Sequence, residues 1–121
     1  MRVICRRYFD LNGLPAERSS ALTIGRTYIV LEVFVSRGEL SYRIESDSGS
    51  YGIHRARAFE VVSGFLPPAW QFFVERDGTP ALMPPEWHVG GFWEDFYGGG
   101  PAAIADFQRR KSEIVQSEPP L

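Results

Sequence analysis

Cysteine occurs once in the 121 residues, histidine twice, and no apolar run is long enough to cross a membrane as a helix, which takes about 20 residues. Each scarcity removes a class of function. A lone Cys5 forms no internal disulfide, and the opening "MRVICRRYFD" has too short an apolar run for a signal peptide, with no small-residue cleavage pattern behind it. The reading is a cytoplasmic protein with no membrane partner. His54 and His88 stand far apart in sequence, and no CxxC, HxxxH or carboxylate cluster has ligand spacing, so no metal is expected. Cys5, between Ile4 and Arg6, reads as a buried strand thiol rather than a nucleophile. The segment "YGGGPAAIADF" places three glycines before a helix start, but it lacks the Lys and Ser/Thr of a phosphate loop, and Asp95 would repel an anion. These glycines read as a hinge, and no cofactor is expected. An enzyme assembled from dispersed groups such as His54, Asp47 and Glu60 has no spacing in its favour, so a non-catalytic protein is expected.

What is present is apolar and turn-forming material. A hydrophobic content of 44% supports one core, while 12 Gly and 9 Pro call for many turns. Charge is divided: residues 1–57 hold nine Arg against six acids, and residues 58–121 hold four Lys or Arg against nine acids. No block of cations exceeds "RRK" at Arg109–Lys111, which disfavours nucleic acid as a partner.

Along the chain, "RVIC" reads as a strand and "LNGLPAERSS" as a loop. "TYIVLEVFV", Thr27 to Val35, reads as one strong strand, with Ile29, Leu31, Val33 and Val35 on one face and Glu32 marking the other as the wetter one. "LSYRIES", "YGIH" and "AFEVV" follow as a meander joined by short glycine turns. After "GFLPPAW", the stretch "WQFFVERDGTPALM" reads as a second hairpin about an Asp-Gly turn, with Trp70, Phe72 and Val74 alternating against Gln71, Phe73 and Glu75. Pro101 suits a first helical turn, and Ala103, Ile104, Phe107, Ile114 and Val115 form a stripe over a helix at about residues 101–115. The fold class is mainly β (α+β): a single domain, residues 1–116, made of a small, partly open antiparallel barrel with a C-terminal helix, followed by a frayed tail at 117–121.

The densest aromatic window is "EWHVGGFWEDFY". A helical turn over Phe92 to Tyr97 puts Phe92 and Phe96 on one side, read as core, and Trp93 and Tyr97 on another. Glu86, Trp87, Trp93, Glu94, Asp95 and Tyr97 then form a candidate partner-binding surface, aromatic anchors with an acidic rim. Arg43, Arg55 and Arg57 are the alternative, as contacts of a nucleic-acid or ribosome-associated module.

The run "LTIGRTYIVLEVFV", "GELSYRIESDSG" and "AFEVVS", followed by a Pro and the Trp of "PPAW", resembles the small SH3-like β-barrel proteins of bacteria, among them immunity proteins of polymorphic toxin systems. The matching elements are Leu22 to Gly25 leading into Tyr28, the "YRIESDSG" hairpin, and Phe59 as the barrel plug. The resemblance implies an SH3-like barrel without catalytic residues that neutralises a toxin by occluding its active site.

Overall fold

The computed structural model describes residues 1–121. In chain order its strands are Arg2–Cys5 (β1), Tyr8–Phe9 (β2), Pro15–Ala16 (β3), Thr27–Ile29 (β4), Glu32–Ser36 (β5), Glu39–Arg43 (β6), Ile53–Arg55 (β7), Phe59–Ser63 (β8), Gln71–Val74 (β9) and Pro80–Met83 (β10). Two α-helices follow, Phe92–Tyr97 (α1) and Pro101–Ser117 (α2), with short 3-10 turns at Ala56–Ala58 and Pro85–His88. The fold is mixed α+β and mostly strand. No helix is long and apolar enough to cross a membrane.

The strands make three open sheets: β4-β1-β8, β7-β6-β5-β10-β9, and the small β2-β3 ribbon. No continuous ladder joins them into the partly open barrel expected from the sequence. The cause lies in the run Thr27 to Val35, which is two strands in two sheets. β4 pairs with β1, the chain turns through Val30 and Leu31, and β5 pairs with β6 and β10. Val30 and Leu31 are both buried, so the bend abandons the alternation that one flat strand would have kept. The carbonyl of Leu31 accepts a hydrogen bond from the indole of Trp70 at 2.9 Å, which docks the proline segment "GFLPPAW" at this corner. A second turn, the 3-10 segment after β7, sends β8 to pair with β1 instead of continuing the meander.

The two hairpins read from sequence are present, β5–β6 and β9–β10, each with a positive-φ glycine in its turn, Gly38 and Gly78. On β9, Phe72 and Val74 are exposed and Phe73 packs on the core, while Trp70, just before the strand, is buried. The predicted helix forms and runs two residues further than expected. It buries Ala103, Phe107 and Ile114, while Ile104 and Val115 keep about two fifths of their surface exposed. The segment expected to fray begins inside this helix, and Glu118, just beyond it, is buried with its carboxylate paired to the Met1 amine. Cys5 is wholly buried in β1 and burial pushes its thiol up, which suits the expected inert role.

Candidate functional site

The window expected to bind a partner folds largely inward. Trp87 is 2% exposed; its ring stacks on Phe107 at 5.0 Å and meets Trp93 edge-on at 5.6 Å. Phe107 also takes the ring of Phe96 at 4.6 Å and that of Tyr51 at 4.6 Å. Phe92, Trp93, Phe96 and Trp87 therefore extend the one hydrophobic core and fasten α1 and α2 to the five-stranded sheet, and Trp87 is no surface anchor. Glu86 is also occupied within the molecule. Arg110 donates to it at 2.8 Å and 2.9 Å, which holds the Glu86 carboxyl below its usual range. Of the six residues, Glu94, Asp95 and Tyr97 remain exposed. Glu94 and Asp95 form no ion pair, and the Tyr97 hydroxyl donates to the Tyr51 carbonyl at 2.9 Å.

Trp93 is half-buried because one face of its indole is covered by a cation. The Arg43 guanidinium lies 3.7 Å from the ring centroid. The same guanidinium donates to Glu32 at 2.6 Å, to the Tyr51 carbonyl at 2.8 Å and to the Tyr97 hydroxyl at 3.2 Å. Glu32 and Arg43 are directly opposite in β5 and β6 and are 2% and 5% exposed. The sequence expectation that Glu32 marks a wet face is thus wrong: α1 covers that face, and the charge survives there because Arg43 neutralises it. Burial pushes the Glu32 carboxyl up, against the pull of Arg43. Its second oxygen has no hydrogen-bond partner, nor has the indole nitrogen of Trp87.

The arginine trio of the alternative reading does not converge. Arg43 is inside, facing α1, whereas Arg55 and Arg57 both bind the carboxylate of Glu39. Arg55 and Arg57 also tie down the loop of the β2–β3 ribbon, donating to the carbonyls of Leu11 at 3.2 Å and Gly13 at 3.0 Å. The three residues offer no shared phosphate-contacting face. The glycines of "YGGGP" are equally engaged: the amides of Gly98, Gly99 and Gly100 donate to the carbonyls of Glu94, Phe96 and Asp95, closing the end of α1. They form a hinge, as read from sequence.

Another surface was not found in the sequence. A row of directly opposed residues crosses all five strands of the larger sheet on one face: His54, Tyr42, Val33, Leu82 and Phe72. Burial falls along it. Tyr42 is 5% exposed beneath Phe59 of β8, Val33 and Leu82 are half-buried, and Phe72 is 64% exposed. The three-stranded sheet covers only the β6–β7 end. Val74, 65% exposed, is on the same face of the edge strand β9, which forms the outer border of the uncovered half. The available signal was the Phe-Phe-Val run of β9, in which one apolar side had to face outward.

At the other end of the sheet, His54 lines a groove of ≈ 600 Å³ between the β2–β3 ribbon and β6–β7. Burial lowers the tendency of His54 to protonate, and no carboxylate is hydrogen-bonded to it. Neither His54 nor His88, which stacks on Phe73 at 3.9 Å, belongs to a group of three metal-ligating side chains.

These features define a small mixed α+β domain with an uncovered apolar sheet edge. No protein-family model matches the chain, and no curated protein or solved structure matches it.

Proposed function

We propose that this is a non-catalytic protein-binding domain, and that its partner is a bacterial toxin domain whose active site it occludes, as an immunity protein does. The observation that carries the binding role is the uncovered half of the five-stranded sheet, where Phe72 and Val74 stand exposed on an unpaired edge strand. Exposed contiguous apolar surface favours a protein partner, and an open edge lets an extended partner segment add main-chain hydrogen bonds to β9. Glu94 and Asp95, both free of intramolecular ion pairs, supply an acidic region suited to steering a basic partner. The toxin assignment rests on the resemblance of the sequence to immunity proteins. In the same reading, the two larger sheets are an opened relative of the SH3-like barrel, joined at the Val30–Leu31 corner.

The test is co-purification from the native host with three forms: wild type, Phe72→Lys with Val74→Lys, and Glu94→Gln with Asp95→Gln. One stoichiometric protein is expected with wild type and lost with the first double variant. Slower association alone is expected of the second. Failure to recover a protein while the domain is abundant, or recovery of nucleic acid in its place, would overturn the proposal.

A further inference from the structure

The groove beside His54 is lined by cations whose charge the fold leaves unused. Arg18 and Arg37 both border it and neither takes part in an ion pair or a side-chain hydrogen bond, whereas the nearby Arg55 is neutralised with Arg57 on the single carboxylate of Glu39. Two guanidiniums on one carboxylate leave a further positive charge at the groove wall. The one acid on the lining, Asp10, is committed to its own loop, accepting from the amides of Asn12 at 2.9 Å and Leu14 at 3.0 Å. The remaining polar lining can donate. The Ser19 oxygen accepts from the amides of Ala21 and Leu22, leaving its hydroxyl proton free, and Ser20 lies beside it.

Arg37 occupies an unusual place. It is the one non-glycine residue with positive φ, at 53°, and it precedes Gly38 at φ 74° in the two-residue β5–β6 turn. Such a turn favours Asn-Gly, because a long side chain in the left-handed region is strained. The same groove also has apolar lining: Leu11 is 90% exposed, Ile53 is 47% exposed, and Phe9 contributes a ring whose one face Arg57 covers at 4.3 Å. The volume lies within the usual range for small-molecule sites, roughly 300–1,000 Å³.

We propose that this groove binds a small phosphate monoester, with Arg18 and Arg37 holding the phosphate and Leu11, Ile53 and Phe9 contacting the organic group. Forked guanidiniums match the oxygens of a phosphate, and two of them lining one groove from separate segments suit a phosphate better than a single carboxylate. The site is separate from the sheet edge around Phe72 and does not depend on the toxin-binding reading.

The experiment is titration of the full chain at low ionic strength with phenyl phosphate, inorganic phosphate and acetate, followed by backbone NMR. Phenyl phosphate is expected to give saturable shifts at Ser19, Arg37, Ser41 and His54, with inorganic phosphate weaker and acetate weaker still. Arg18→Gln and Arg37→Asn are each expected to weaken phenyl phosphate binding by about tenfold, the loss of one charge-assisted contact. Arg37→Asn should raise the melting temperature at the same time, since Asn relieves the turn, so lost binding cannot be put down to lost folding. Arg76→Gln, in the β9–β10 turn away from the groove, should keep full affinity. The proposal is overturned by the absence of saturable shifts, by equal affinity for inorganic phosphate and phenyl phosphate, or by undiminished binding in Arg37→Asn.

Discussion

Arg43 joins three separate parts of this molecule. Its guanidinium touches β5 through Glu32, the segment before β7 through the Tyr51 carbonyl, and α1 through Trp93 and the Tyr97 hydroxyl. Removing it would strand the Glu32 carboxylate at 2% exposure. Arg43→Ala is therefore expected to cost about 3–5 kcal/mol in urea unfolding, while Glu32→Leu with Arg43→Met should cost far less, because no charge is then left buried alone. His54 acts by a different route. Its folded form resists protonation through burial, while in the unfolded chain it titrates near the usual 6.5. Below that pH the unfolded state binds more protons than the folded state, so the contribution of His54 favours folding at high pH and is lost as pH falls from 6.5 toward the depressed folded value. Melting temperatures from about pH 7.5 to about pH 5 should decline less steeply in His54→Gln than in wild type.

At the level of elements, the short helix α1 is held by its glycine C-terminus and by the rings of Trp87, Phe107 and Tyr51. Six residues are too few for a helix to be stable alone, so its existence depends on docking to α2 and on the glycines behind it. Gly99 has φ 83°, a conformation that L residues adopt at a cost. Gly99→Ala is accordingly expected to destabilise the fold by about 1–2 kcal/mol and to quench the order of α1 first, visible as early amide exchange at Phe96 and Tyr97. Phe107 carries the other side of the joint. It is fully buried and meets Trp87, Trp93, Phe96 and Tyr51, so Phe107→Ala should cost about 3–5 kcal/mol in denaturant unfolding. Local chemistry made these elements readable in advance: Pro101 begins α2, the spacing of Phe92 and Phe96 sets the turn of α1, and Asp77-Gly78 makes the β9–β10 hairpin. The inward placement of Trp87 had no such local sign, since its main partner Phe107 lies in a separate helix.

For the whole molecule, the decisive feature is that the two larger sheets differ in width. Three strands cannot cover five, and the uncovered remainder is apolar at Phe72 and Val74. Phe72→Lys with Val74→Lys is expected to leave the unfolding free energy within about 0.5 kcal/mol of wild type, as suits exposed positions, while lowering concentration-dependent association in sedimentation velocity. By itself the sequence determined the strand-rich composition, the two hairpins, the C-terminal helix and the glycine hinge, because each is fixed by φ preferences and side-chain periodicity within a few residues. Tertiary structure decided that Thr27 to Val35 splits between two sheets, that Glu32 is buried with Arg43, and that the window Glu86 to Tyr97 is mostly core. The physical reason is the same in each case. A charge or a ring is buried or exposed according to what packs over it, and the covering groups here, such as Tyr97 over Arg43, come from strands and helices remote in the chain.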